Sequence, residues 1–372
     1  MKRRNMRVLA LVSDAFGGHG GIALYNRDLL KALCTYPDVI EVTAIPRSTP
    51  NPLEKLPEKL TYVTESVGGK SRYLVTVLRY LFKKPQIDLI VCGHVNLLPI
   101  AFLLRSWFRI PVLLEIYGID AWQPSRSRLV NYFARRVDAV VSISDVTKQK
   151  FLAWTDYPEE KVFLLPNAIH ADLYGVEPKS PALLARYGLD GKVVLMTLGR
   201  LDAQEKYKGF DEILEILPVL AQSIPNIAYL IAGSGLDRQR LEEKAKNLAI
   251  SDRVVFTGMV AEEEKADHYR LADVYVMPSR GEGFGFVLLE AMACGIPVIA
   301  SKTDGGREAV REGEIGALVD PNNAAEIIDA IKSAIASSNK TIPDGLQYFS
   351  FENFQQRTHQ IIAKLMLAAN DR

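Results

Sequence analysis

Residues 278–290 read PSRGEGFGFVLLE, with glycine at positions 281, 283 and 285. Alternating glycines disfavour a continuous helix through Glu282, so we expect Glu282 in a loop and a helix that begins at Gly285 or Phe286. The first backbone N–H groups of a helix have no partner within the helix and attract anions. Gly285, Phe286 and Val287 are therefore predicted to bind a diphosphate.

Two carboxylates flank this predicted anion site. Glu282 precedes it, and Glu290 follows about one helical turn later. Because carboxylates accept hydrogen bonds from paired hydroxyls, we expect one of the two to hold a transferred sugar and the other a ribose. The alternative is a helix-capping acid and a surface glutamate. The alternating glycines argue against that alternative because they add no stability of their own.

Short apolar strands alternate with helical patterns on both sides of this segment. A strand at 7–12 leads into GGHGG at 17–21, and the pattern restarts after Pro166-Asn167 with a strand at 192–198. Such alternation predicts parallel βαβ units with right-handed crossovers. We expect an α/β protein of two doubly wound, Rossmann-like domains, 1–168 and 169–350. The last segment, 351–372, is not needed by the second sheet and is expected to pack back onto the first domain.

Two cations lie where such sheets bind ligands, beyond the carboxyl ends of the strands. Arg200 follows the strand at 192–198, and Lys208 precedes the next helix. Fixed cations beside a diphosphate neutralise the negative charge that builds up as a sugar leaves, which removes the need for a metal. Lys206 is a second candidate for the role of Lys208. For Arg200 and Lys208 alike, the alternative is ordinary surface charge.

The 278–298 segment resembles the signature of retaining glycosyltransferase family 4, in which seven residues separate two glutamates. Five other features match the family: the glycine loop at 17–21, the Pro166-Asn167 hinge, Gly199-Arg200 with Lys208-Gly209, the loop at 233–235 and the loop at 303–308. The resemblance implies the GT-B fold, with two domains facing each other across a cleft. It implies that the donor lies mainly on the C-terminal domain, that Glu282 contacts the donor sugar and that Glu290 contacts the ribose. It also favours front-face attack, with the leaving phosphate taking the acceptor proton.

The remaining loop residues give weaker signals. The glycine loop is neither a dinucleotide fingerprint nor a Walker loop, and Gly17 and Gly18 are expected to let the backbone approach the donor phosphate. His19 and His94 are candidates for contact with the acceptor, and the alternative for each is an ordinary loop histidine. In this fold the nucleotide base is often bound by backbone groups, which makes Gly258 a candidate for contact with the nucleotide base.

Tyr117 marks a departure from the family. The family usually has His-Gly after the strand at 112–116, and this chain has Tyr117-Gly118. A phenol hydrogen-bonds or stacks on a sugar but is not a base near neutral pH. We place Tyr117 in the donor site, with the donor sugar left open. The departure also leaves open a non-catalytic nucleotide-sugar-binding subunit, beside a second alternative, a nucleotide-sugar epimerase. A nicotinamide dehydrogenase is disfavoured because the dinucleotide fingerprint is incomplete.

Charge is distributed unevenly between the two halves. Residues 1–161 contain 23 Lys and Arg against 15 Asp and Glu, a net +8, and the remainder contains 22 against 29, a net −7. Basic residues mix with aromatic ones at 70–84 and 105–109, which suits an anionic membrane surface. The alternative is an ordinary amphipathic helix at 71–84 whose apolar side faces the sheet. No recognition motif for nucleic acid accompanies these charges, so we expect no nucleic-acid partner.

Composition sets the remaining expectations. Three dispersed cysteines and five scattered histidines give neither a disulfide framework nor a metal-ligand spacing, so we expect no metal and no cofactor. No stretch of about 18 apolar residues is present. We expect a cytoplasmic enzyme, peripheral on the inner face of the plasma membrane. It would use a UDP- or GDP-sugar and a saccharide or lipid-linked acceptor.

Overall fold

The computed structural model describes residues 5–83, 85–203, 206–337 and 340–370. The chain divides into two compact units, one made of Met1–Ala168 with Phe351–Arg372 and the other of Ile169–Ser350. Each unit contains one sheet, and all the strand pairs in both sheets are parallel. The predicted α/β class with doubly wound sheets is confirmed.

The first unit is built on a seven-stranded sheet. Its strands are β1 (Met6–Val12), β2 (Val39–Pro46), β3 (Leu60–Tyr62), β4 (Leu89–Gly93), β5 (Val112–Ile116), β6 (Ala139–Ser142) and β7 (Val162–Leu164). Their spatial order is β3-β2-β1-β4-β5-β6-β7. The helices between them are α1 (Gly21–Thr35), α2 (Lys70–Phe82), α3 (Leu98–Phe108), α4 (Arg128–Ala134) and α5 (Asp145–Thr155).

The second unit repeats this order with six strands. They are β8 (Val193–Leu198), β9 (Ile227–Ala232), β10 (Val254–Gly258), β11 (Val274–Met277), β12 (Val298–Ser301) and β13 (Ala317–Val319). The spatial order is β10-β9-β8-β11-β12-β13. The helices are α6 (Pro181–Tyr187), α7 (Phe210–Ser223), α8 (Arg238–Asn247), α9 (Lys265–Arg270), α10 (Phe286–Ala293), α11 (Gly306–Ala309) and α12 (Ala324–Ala336). The last helix, α13 (Phe351–Asn370), belongs to the first unit and packs against α1.

Three aspartates lie just before a strand, at the amino ends of the strands, two in the first sheet and one in the second. In each case its carboxylate accepts a hydrogen bond from a backbone N–H at the start of the neighbouring strand. The pairs are Asp88 with Arg7 at 2.7 Å, Asp138 with Val112 at 2.9 Å and Asp273 with Val194 at 2.8 Å. Because the strands are parallel, the loops that carry the predicted site residues lie at the opposite side of the sheet, beyond the carboxyl ends of the strands.

Helix α10 is apolar on nearly all sides and buried. Leu288, Leu289, Ala291 and Met292 are all buried. A helix that is hydrophobic all round belongs inside a domain. The body of α10 is therefore fixed by packing, whereas Phe286 and Val287 at its start are half-buried.

Candidate functional site

The helix at the predicted anion site begins where the glycines indicate. Gly285 has φ +97° in the left-handed region, and α10 starts at Phe286. Among the described residues, no side chain caps this helix end. The first amides of α10 have the orientation that favours an anion. The predicted position of the helix start is confirmed, and binding of a diphosphate by Gly285, Phe286 and Val287 stays a prediction.

Glu282 lies beside Lys208. The Lys208 Nζ is 3.4 Å from the Glu282 Oε2, and both side chains are mostly buried. Gly199, directly after β8, leaves room for the lysine, since a Cβ at that position would lie 3.1 Å from the Lys208 Cδ. Arg200 follows and is exposed. The structure thus brings Glu282 and Lys208 together at the carboxyl edge of the second sheet.

The loop that carries Glu282 is held on one side by residues 303–306. The Glu282 N–H donates to the Asp304 Oδ2 at 2.8 Å, and the Gly305 N–H donates to the Glu282 carbonyl at 2.9 Å. Burial raises the pKa of Asp304 to about 6. Sequence reasoning included Asp304 in a family-like loop without giving it a role. The only local signal was its place before two glycines.

On the other side, Arg280 and Gly281 hold the same loop. The Arg280 N–H donates to the Tyr207 carbonyl at 2.8 Å, and its guanidinium bonds Asn322 and Glu212. A Cβ at Gly281 would lie 2.9 Å from carbons of the Tyr207 ring. A side chain at position 281 would therefore require the Tyr207 ring to move. The Lys208 segment and the Glu282 loop are therefore in direct backbone contact.

Glu290 is buried and paired with protein groups. Its Oε1 accepts from the Lys265 Nζ at 2.7 Å, and its Oε2 accepts from the Tyr269 hydroxyl at 2.6 Å. Burial, reinforced by the Glu290 charge, holds the pKa of Tyr269 well above its usual value. Sequence reasoning missed Lys265 and Tyr269. The assignment of Glu290 to a ribose stays a prediction.

Gly258 ends β10 with φ +77° and forms an isolated bridge with Gly233, whose N–H donates to the Gly258 carbonyl at 2.9 Å. A Cβ at Gly233 would lie 1.9 Å from the Gly199 carbonyl oxygen. Close backbone packing thus requires glycine at position 233, whereas at position 258 it is the positive φ that favours glycine. The predicted contact between Gly258 and a base stays a prediction.

The glycine loop of the first unit is also shaped by packing. Gly17 has φ +75°, and a Cβ there would lie 2.5 Å from the Asn51 carbonyl oxygen. A Cβ at Gly18 would lie 2.8 Å from the Ala23 Cβ. His19 is exposed. The ligand contacts predicted for Gly17, Gly18 and His19 stay predictions.

His94 caps a short helical turn. Its Nδ1 accepts from the Asn96 N–H at 3.0 Å, and burial with the charge of Arg47 lowers the pKa of His94. A neutral imidazole with Nδ1 as acceptor carries its proton on Nε2. The predicted contact between His94 and an acceptor stays a prediction.

Tyr117 lies in a buried polar cluster that sequence reasoning missed. Its hydroxyl is 2.8 Å from the Asn26 Oδ1 and also contacts the Glu115 Oε2. Its ring packs edge-on against Tyr25, with centroids 5.5 Å apart. Burial raises the pKa of Glu115 to about 7. The Tyr117 hydroxyl therefore already has partners within the first unit, and its predicted donor contact stays a prediction.

Two family models match the chain, one in each unit. "Glycosyltransferase Family 4" matches residues 19–173, and "Glycosyl transferases group 1" matches residues 184–342. The chain belongs to the group 1 glycosyltransferase family. The resemblance seen in the sequence is confirmed.

Curated relatives of this group 1 glycosyltransferase include mannosyltransferases. A GDP-mannose-dependent alpha-(1-6)-phosphatidylinositol monomannoside mannosyltransferase of Mycolicibacterium smegmatis is 32% identical over 59% of this chain and 59% of its own length. A phosphatidyl-myo-inositol mannosyltransferase of Mycobacterium tuberculosis is 41% identical over 45% of this chain and 43% of its own length. The chain thus spans about two fifths to three fifths of the length of these two relatives.

Solved structures share the fold. The Anabaena protein Alr3699/HepE in complex with UDP-glucose has a TM-score of 0.74 at 21% identity, over 97% of this chain and 100% of that one. The sucrose-phosphate synthase of Thermosynechococcus elongatus has a TM-score of 0.76 at 22% identity, over 98% of this chain and 100% of that one. The group 1 glycosyltransferase described here has the GT-B fold.

The predicted site residues of this glycosyltransferase fall into two sets. In the second unit Glu282 and Lys208 lie together, and the Lys208 side chain passes Gly199. In the first unit Tyr117 lies with Glu115 and Asn26, and His94 is bonded within its own loop. A cation, a carboxylate and a helix N-terminus at one sheet edge are chemically suited to a diphosphate joined to a sugar.

Proposed function

We propose that this chain transfers a sugar from a nucleotide-diphosphate sugar to an acceptor hydroxyl with retained anomeric configuration. The observation that carries the proposal is the 3.4 Å approach of the Lys208 ammonium to the Glu282 carboxylate in the loop before α10. A lysine ammonium can pair with the charge of a diphosphate, and a carboxylate accepts hydrogen bonds from sugar hydroxyls. Arg200, one residue after Gly199, adds a second cation.

In the proposed reaction, the bond between the anomeric carbon and the β-phosphate oxygen breaks, and its electron pair leaves with the phosphate. The sugar develops oxocarbenium character, as in glycoside hydrolysis. Lys208, Arg200 and the N-terminus of α10 stabilise the charge that develops on the diphosphate. The acceptor oxygen then bonds the anomeric carbon on the same face, and its proton passes to the leaving phosphate oxygen.

GDP-mannose is the first donor to test. The curated relatives named above are mannosyltransferases, and the first is named as GDP-mannose-dependent, with an acceptor of the phosphatidylinositol type. A UDP-sugar is the second choice, since a protein of the same fold is solved with UDP-glucose. For the acceptor we propose a lipid-linked saccharide or glycolipid.

The first unit has surface features that suit a lipid-linked acceptor. Phe82 at the end of α2 is 83% exposed, and Trp107 near the end of α3 is 70% exposed. Arg79, Lys83 and Arg109 are exposed in the same two segments. Lys84, which the sequence also placed in this basic group, lies outside the described residues. Exposed aromatic and basic residues together favour an anionic membrane surface.

The test is a panel of GDP- and UDP-sugars. Thermal shift identifies the donor that binds, and nucleotide release then shows whether that donor is turned over. NMR of the product gives the anomeric configuration. Transfer with retention is expected. A change of the sugar's stereochemistry would instead indicate the epimerase, and binding without turnover would indicate a non-catalytic subunit.

A further inference from the structure

The Asp304 carboxylate connects the loops after two neighbouring strands. Glu282 lies in the loop after β11, and Asp304 lies in the loop after β12. The Asp304 Oδ2 accepts from the Glu282 N–H at 2.8 Å, and its Oδ1 accepts from the Gly306 N–H at 3.0 Å. Each carboxylate oxygen therefore holds a different loop segment, and the side chain is completely buried.

The peptide groups of Glu282 are fixed on both sides. Its N–H is bound by the Asp304 side chain, and its carbonyl accepts from the Gly305 N–H at 2.9 Å. A Cβ at Gly305 would lie 2.0 Å from the Gly283 carbonyl oxygen, so the two loops touch through backbone. With its backbone fixed at both groups, Glu282 retains freedom only in its side chain, which points to Lys208.

Packing alone does not explain an aspartate at this position. Burying a carboxyl group is unfavourable unless its oxygens are hydrogen-bonded, and an apolar residue would fill the same space without that cost. The charge of Glu282 lies close by and is a further unfavourable influence on an ionised Asp304. What the carboxylate supplies is two acceptors at one point, and one of them fixes the backbone of Glu282.

We propose that Asp304 is a positioning residue that holds Glu282 in the geometry required for sugar transfer. The inference rests on the proposed function, because it assigns Glu282 to the transferred sugar. Asp304 itself touches no substrate in this proposal. It acts on the rate of the chemical step through the placement of Glu282, and a misplacement of about 1 Å can lower a rate about a hundredfold.

The test compares Asp304→Asn with the wild type in nucleotide release from GDP-mannose. Asparagine has the same shape but offers one acceptor oxygen to the two backbone N–H groups, so at least one bond is lost. We expect kcat to fall about tenfold to a hundredfold, while KM and the affinity for free GDP change less than about twofold. Asp273→Asn is the matched control. It also removes a carboxylate that accepts a backbone N–H at 2.8 Å, but at the opposite end of the sheet.

A second measurement separates positioning from general damage. In a Glu282→Ala background, Asp304→Asn should change the residual rate less than about twofold, because the group it positions is already gone. A full additional loss there, or a parallel loss of GDP affinity, would overturn the role of Asp304. An unchanged kcat in the single variant would also overturn it. Wild-type protein that releases nucleotide from none of the donors would instead overturn the proposed function.

Discussion

Glu282 and Glu290 differ sharply in their surroundings, although seven residues separate them in one segment. The Glu282 side chain is 20% exposed beside Lys208, whereas Glu290 is 3% exposed and bound by Lys265 and Tyr269. A partly exposed carboxylate can reach a ligand at once. A buried one that already has two donors is also part of the structure of the unit. The same substitution should therefore have different effects at the two positions.

We expect Glu282→Ala to abolish most of the transfer while the affinity for free GDP stays nearly unchanged. Glu290→Ala should weaken free GDP binding by about 1–3 kcal/mol, because a charged hydrogen bond to the ribose is lost. It should also lower the free energy of unfolding, since Lys265 and Tyr269 lose a buried partner. Calorimetric titration with GDP and chemical denaturation measure these effects. Glu242→Ala, at a surface ion pair with Arg238, is the control.

Equal losses of GDP affinity in the two glutamate variants would contradict the assigned roles.

Glu282 and the start of α10 could be predicted because glycine spacing acts locally along the chain. Asp304, Lys265 and Tyr269 could not be given their roles, because each acts on a glutamate more than 20 residues away in sequence. A contact across that distance depends on which strands become neighbours, and no local pattern records it.

At the scale of elements, the start of α10 and the Lys208 segment together should replace a metal. The positive end of the helix and the two cations can neutralise a diphosphate without a divalent ion. We expect nucleotide release from GDP-mannose to persist in EDTA within about twofold of the untreated rate. Lys208→Met should lower kcat, and added magnesium should not restore it. Complete loss in EDTA with recovery in magnesium or manganese would show that the diphosphate is held by a metal.

In the buried cluster beside β5, there are too few protons for the hydrogen bonds if Glu115 is ionised. Tyr117 has one hydroxyl proton and contacts two acceptors, the Asn26 Oδ1 and the Glu115 Oε2. The Asn26 amide cannot turn to help, because its Nδ2 donates to the Asp14 carbonyl at 2.8 Å. Among the described residues, the Glu115 Oε1 has no hydrogen-bond partner. A protonated Glu115 that donates to the Tyr117 oxygen leaves the Tyr117 proton for the Asn26 Oδ1, so that both contacts of the hydroxyl are hydrogen bonds.

This arrangement gives a prediction for stability against pH. Burial raises the pKa of Glu115 from 4.5 to about 7 in the folded protein. The folded state then keeps its proton after the unfolded state has lost it, so the contribution is fully present below pH 4.5 and is lost as pH rises through about 7. The loss amounts to about 3 kcal/mol at most. Glu115→Gln keeps a donor toward Tyr117 and should remove this dependence.

Chemical denaturation at several pH values from 4 to 8 measures that difference. Asp120, whose pKa burial also raises to about 7, contributes its own pH dependence to both proteins. The informative quantity is therefore the difference between the wild type and Glu115→Gln. As pH rises through 7, the free energy of unfolding of the wild type should fall relative to that of Glu115→Gln. A difference that is flat with pH would mean that Glu115 is ionised in the folded protein.

The strands that sequence reasoning missed share a physical cause. Strands β3, β7 and β13 have three residues each, and all three lie at sheet edges. Three residues are too few to show a period of two, and an edge strand needs less continuous burial than a central one. The longer central strands β1 and β8 have apolar runs and were predicted to within one residue at each end.

Across the whole molecule, the net charge of +8 on residues 1–161 coincides with exposed aromatic side chains. On α2, Tyr73 and Val77 are buried toward the sheet, whereas Phe82 is exposed at the helix end. The amphipathic alternative therefore explains one side of α2 and leaves Phe82 unexplained. Trp107 presents a second large exposed aromatic in the same unit. No helix in the described part of the chain is long and apolar enough to span a bilayer.

We therefore expect the protein to bind anionic vesicles reversibly. Each basic residue near an anionic surface contributes about 1 kcal/mol, and salt screens this attraction within a Debye length of about 10 Å at 0.1 M. In co-sedimentation, binding should require phosphatidylserine or phosphatidylinositol, fall at high salt and weaken in the Arg79→Glu, Lys83→Glu double variant. Phe82→Ser with Trp107→Ser should weaken binding at every salt concentration, because insertion of the rings is not screened.

The matched control is Lys246→Glu with Lys332→Glu, which makes the same charge change at exposed positions of the second unit. If the two charge-reversal variants lose binding equally, the attraction depends on total charge and not on the α2 surface. If the wild type ignores anionic vesicles even at low salt, the charge asymmetry has another cause. In that case a water-soluble saccharide becomes the better acceptor to test, and the sugar-transfer proposal is unaffected because its evidence lies in the second unit.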